Sequence, residues 1–108
     1  MSKISYKIGT TAWEFNLISS LSYTRKFGKG SEAICLLKEH EVWFNKSDFS
    51  LAVIAHELMH IYFLQSAHNS SDLDAHQTEE VAAEIVANTW SILPMIINDI
   101  FTQLSSKA

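Results

Sequence analysis

From Leu51 to Leu64, the apolar positions Leu51, Ile54 with Ala55, Leu58, Ile61 and Leu64 recur every three to four residues. That period predicts an α-helix from Phe49 to about Ser66, the strongest local pattern in the chain. The same stretch carries His56, Glu57 and His60, with Val53-Ile54-Ala55 before them and Ile61-Tyr62-Phe63-Leu64 after. A helix this apolar is expected to be largely buried, and buried ionisable groups need partners. Any fold built around it must find a use for two imidazoles and a carboxylate. The polar run Asn45-Lys46-Ser47-Asp48 precedes it, and Ser47 or Asp48 is the expected N-cap.

The other elements follow from weaker patterns. Ile4-Ser5-Tyr6-Lys7-Ile8 alternates, as a half-buried strand does. Trp13, Leu17, Ile18 and Leu21 sit at helical spacing and predict a helix within Thr11–Tyr23. Gly28 and Gly30 punctuate a turn. Beyond it, Ala33–Leu37 and Val42–Phe44 predict an antiparallel hairpin. Ala67–Gln77 is polar and predicts a loop, and a second helix is expected from Thr78, as N-cap, to about Leu93. Pro94 ends or kinks that helix or opens a third. Met95–Leu104 is apolar at helical spacing and predicts a closing helix, which covers the core or lends part of its surface to a homodimer face. The pattern is that of an α+β fold with a small antiparallel sheet, and 108 residues suit a single domain spanning 1–108.

Composition narrows the function. With 8 basic and 12 acidic residues the net charge is −4, and no broad basic field exists to attract nucleic acid or an anionic membrane. Cys35 is the single cysteine, which excludes an internal disulfide framework and suits a reducing, cytoplasmic setting. No signal-like apolar run follows the N-terminal lysines, and no run approaches the roughly 20 apolar residues of a membrane span.

The chemistry sits in His56-Glu57-Leu58-Met59-His60, an H-E-x-x-H pattern. Residues four apart share one helix face, so both imidazoles can aim at one metal ion. Glu57, turned about 100° from His56, flanks that ion and can take a proton from the water it activates. Zinc suits the donor set, and catalytic zinc takes three protein ligands. The second helix offers the third ligand. Glu80 and Glu84 share a face: the first can complete the metal shell, and the second can accept the outer N–H of a ligating histidine. Glu79 competes, but position 83 is Ala, so it lacks such a companion. His68 and His76 are further alternatives. Tyr23, Tyr62, His68 and His76 are candidates to stabilise an oxyanion. The Val42–Phe44 strand is the expected edge for an extended peptide to join.

H-E-x-x-H on one helix followed by Glu-x-x-x-Glu on the next resembles the gluzincin metallopeptidases. Residues 41–90 also look like the minimal zincins of phages and bacteria, including the ImmA/IrrE type. The resemblance implies a minimal zincin-like domain in which His56, His60 and Glu80 hold Zn2+, Glu57 is the general base and Glu84 supports a histidine. It implies a hydrolase, a zinc-dependent metallopeptidase acting on a peptide or protein substrate. The alternative is a metal-binding regulatory or interaction protein on the same scaffold with little or no hydrolytic activity.

Overall fold

The computed structural model describes residues 1–67, 75–89 and 91–107, with side chains except those of 66, 67, 75–79 and 81. Strand β1 (Ser2–Ile8) turns back through Gly9-Thr10 onto β2 (Thr11–Ile18), with Ile8 opposite Thr11. Gly9 takes φ 64°, the positive value that tight hairpin loops need at their first position. A strand at 11–18 corrects the helix expected there. Trp13, Leu17 and Leu21 fit a helical period, but Trp13, Phe15 and Leu17 fit an alternating one equally well. Partnership decides, because the backbone groups of β1 need a neighbouring strand. The helical part is confined to α1 (Ser20–Phe27), which Ser19 caps by accepting the Ser22 N–H at 3.2 Å.

Strands β3 (Ala33–Leu36) and β4 (Glu41–Asn45) form the expected antiparallel hairpin. The sheet order is β1-β2-β4-β3, and β2 runs parallel to β4. The sheet is therefore mixed, not wholly antiparallel, because a crossover through α1 and β3 separates β2 from β4. This order also moves the free edge. β4 is paired on both sides, so Val42–Phe44 offers no open edge, and β3 is the outer strand instead.

Helices α2 (Leu51–Ala67), α3 (Ala75–Thr89) and α4 (Leu93–Lys107) complete a small α+β fold of four strands and four helices among the described residues. Phe15, Val42 and Phe44 of the sheet pack on Ile54, Leu58 and Ile61 of α2 and on Ile100 and Leu104 of α4. Alternation puts Trp43 on the opposite face from Val42 and Phe44, where its ring meets Phe27 of α1 at 5.8 Å.

The cap of α2 differs from expectation. Ser47 and Asp48 are drawn into a 3-10 turn at Lys46–Asp48, which Asn45 caps. Ser50 caps α2 instead, its hydroxyl accepting the Val53 N–H at 3.2 Å. Ser50→Ala is expected to cost about 1 kcal/mol, seen as a lower urea midpoint at unchanged slope. An unchanged midpoint would show that this cap contributes nothing. Helix α3 starts at Ala75, so Thr78 lies inside it, and Ala75–Gln77 is helix where a loop was expected. Pro94 falls in the first turn of α4, where its missing N–H breaks no helical bond. Among the described residues, no single helix is long and apolar enough to cross a membrane.

Candidate metal centre

Helix α2 is apolar on almost every side, so its sequence does not say which face is buried. The sheet takes Ile54, Leu58 and Ile61. His56 lies two residues from both Ile54 and Leu58, about 200° round the helix. His56 and His60 are accordingly exposed, which corrects the expectation that the whole motif is buried. Glu57 follows Ile54 by three residues, falls on the border of the buried face, and is only 5% exposed.

The two histidines converge. His56 Nε2 and His60 Nε2 are 3.3 Å apart, with their rings at 81°. Two nitrogens about 2.0–2.1 Å from a tetrahedral zinc would stand roughly 3.3 Å apart, so the spacing suits a shared ion. Among the described residues, His56, Glu57 and His60 form one group of potential ligands, with donor atoms all within 4.8 Å of one another. Burial raises the pKa of the Glu57 carboxyl, and the neighbouring His60 and His56 partly offset this. A carboxylate made more basic is a better proton acceptor near neutral pH.

Strand β3 and helix α3 wall the site on either side. On the β3 side, Ala33, Cys35 and Leu37 border a cavity of about 440 Å³ with His56, Glu57 and His60. A second cavity, about 390 Å³, opens at the start of β3 between Ser31, Glu32, Ala33, Val53, His56 and Glu57. Nothing in the local sequence marks Ser31, Glu32 or Cys35, since only the position of β3 at the sheet edge brings them beside α2. The Cys35 thiol is pushed up to about 12, chiefly by burial and secondarily by the Glu57 charge. It is protonated at neutral pH and unsuited to act as a nucleophile.

Of the oxyanion candidates, Tyr23 is buried, and its hydroxyl shares a 2.8 Å hydrogen bond with Ser31 Oγ, which ties it to the cleft wall. Burial raises the Tyr23 pKa, the bond to Ser31 opposes this, and the charges of Glu57 and Asp48 add to the rise. Tyr62 packs against the core instead.

On the α3 side, Ala82 and Ile85 line a hollow with His56 and His60. Glu80 and Glu84 are exposed, and each lies two residues from Ala82, about 200° round the helix. The structure thus brings together His56, Glu57 and His60, and Glu80 and Glu84 stand outside that group. All of His68 and Trp90, and the side chains of His76 and Glu79, lie outside the described residues. Neither a family model, nor a curated protein, nor a solved structure matches this chain.

Proposed function

We propose that this chain is a zinc-dependent metallopeptidase built on a minimal zincin-like fold. One observation carries the reading: two imidazole nitrogens stand 3.3 Å apart with a buried glutamate beside them. The same group adjoins an edge strand. His56 and His60 hold the ion, and a carboxylate from the start of α3 is the third protein ligand. Glu80 is the candidate by its pairing with Glu84, and Glu79 is the alternative. Zinc, when bound, supplies Lewis acidity towards a carbonyl and lowers the pKa of water.

The remaining work falls to the chain's own residues. Glu57 takes the proton of the attacking water and returns it to the leaving amine. Its burial keeps that exchange away from bulk solvent. The outer edge of β3 presents backbone N–H and C=O groups along which an extended peptide can lie, so a peptide or protein substrate is the partner. A purely structural metal site has no need of a proton acceptor, which favours catalysis over a regulatory metal-binding role. The cytoplasm is the proposed location.

Elemental analysis of untagged protein tests the site. One equivalent of zinc is expected, removable by a chelator. Glu79→Ala and Glu80→Ala are measured side by side. The ligand is the one whose loss weakens zinc by more than the roughly 10–100-fold typical of an outer partner. A parent protein that takes up no zinc when supplied with it, or that cleaves no peptide once loaded, overturns the proposal.

A further inference from the structure

The two cavities beside β3 differ in chemistry, and their difference bears on what the cleft selects. The cavity towards Leu37 is bordered by Ala33, Ile34, Cys35 and Leu37 on the strand side, none of them charged. The cavity at the other end has apolar walls at Ala33 and Val53, with Glu32 and Glu57 as its acidic members. Lys29 and Asp48 border the adjoining hollow, which Glu32 also lines. In that hollow Glu32 and Asp48 outnumber the one lysine. Glu32 is exposed, and its main-chain carbonyl accepts the Asn45 N–H at 3.1 Å.

We infer that this end of the cleft selects a lysine or arginine side chain of the substrate, and that Glu32 is the residue that makes the selection. The inference rests on the peptidase reading of the His56, Glu57 and His60 group. A long cationic side chain matches the cavity in both parts: its methylene stem lies against Ala33 and Val53, and its charged head reaches the acidic rim. The strand direction says where in the substrate that residue stands. A peptide joining the outer edge of β3 in the slightly more stable antiparallel sense runs from the Leu37 end towards Glu32. The basic residue therefore follows the scissile bond, and apolar residues precede it.

Zinc-loaded protein is incubated with a mixed octapeptide library, and the cut sites are read by mass spectrometry. Lysine and arginine are expected just after the cut, favoured about two- to fivefold over leucine, as for an exposed ion pair. The preference shrinks as salt rises. It is lost in Glu32→Gln and reversed towards acidic residues in Glu32→Lys. Glu32→Gln keeps the main-chain bond to Asn45, and an unchanged melting temperature shows that its fold is intact.

In parallel, labelled alanine-based octapeptides carrying lysine, leucine or glutamate at the central position are titrated into zinc-loaded Glu57→Gln protein. Cleavage without a basic preference, or a preference that survives Glu32→Gln, overturns the inference while leaving the peptidase reading intact. If nothing in the library is cut, the peptidase reading falls and the titration decides. Tighter binding of the lysine peptide that disappears on Glu32→Gln upholds the selection, and equal binding of all three peptides overturns it.

Discussion

Glu57→Gln is expected to lower peptide hydrolysis by about 100- to 10,000-fold, the range for loss of a positioned general base, while one equivalent of zinc is retained. Gln matches Glu in shape, so the 5% exposed position is filled without a cavity. The pair of imidazole nitrogens 3.3 Å apart is not touched. What disappears is, among the described residues, the one buried carboxylate beside them that can take a proton from water. The metal-free variant is also expected to be no less stable than the parent, because burial disfavours the charged form of the carboxylate that the substitution removes. Steady-state rates on a cleaved peptide, zinc content and a thermal melt check the three parts. Hydrolysis at the parent rate would show that Glu57 is not the base. Loss of zinc would instead make it a ligand.

Leu58→Ala is expected to destabilise the protein by about 3 kcal/mol, within the 2–5 kcal/mol seen when a fully buried leucine is truncated. Leu58 sits inside the motif, two residues from each histidine, but points the other way, into the core formed by the sheet and α4. It is 0% exposed. Truncation removes its contacts and leaves a void that close-packed neighbours fill only in part. Met59, next to it, is half-buried on the side of α2 that lines the hollow with α3, so Met59→Ala should cost clearly less. Urea denaturation of the metal-free protein measures both. Adding zinc should return part of the loss to Leu58→Ala, since an ion that binds only the folded state stabilises it by mass action. Equal costs for the two substitutions would contradict the assigned orientation of α2.

Much of this was legible in the sequence because it is local. The period of Leu51, Ile54, Leu58 and Ile61 marks α2, and the helix appears there. Four-residue spacing puts His56 and His60 on one face, and their nitrogens meet. The hairpin of β3 and β4 and the helix at the end of the chain are likewise set by short-range pattern and turn residues.

Other features needed the tertiary structure, because they depend on partners distant in the chain. Residues 11–18 satisfy two periods at once, and only pairing with β1 and β4 makes them a strand. The apolar circumference of α2 leaves its orientation open until the sheet takes Ile54 and Leu58, which turns both histidines outward and tucks Glu57 in. The edge beside the site belongs to β3 because the crossover through α1 places β4 inside the sheet. That same topology recruits Ser31, Glu32 and Cys35, which no motif announces. Helical spacing on α3 could pair Glu80 with Glu84, but not say which side of that helix meets α2. Ala82 and Ile85 take that side, since small and apolar side chains allow close packing where exposed carboxylates would lose their water. By itself the sequence determined the histidine pair and the glutamate beside it, since a helical turn is enough to assemble them. Tertiary structure alone decided the walls of the cleft around them, because burial is shared between elements and no single segment carries the record of its neighbours.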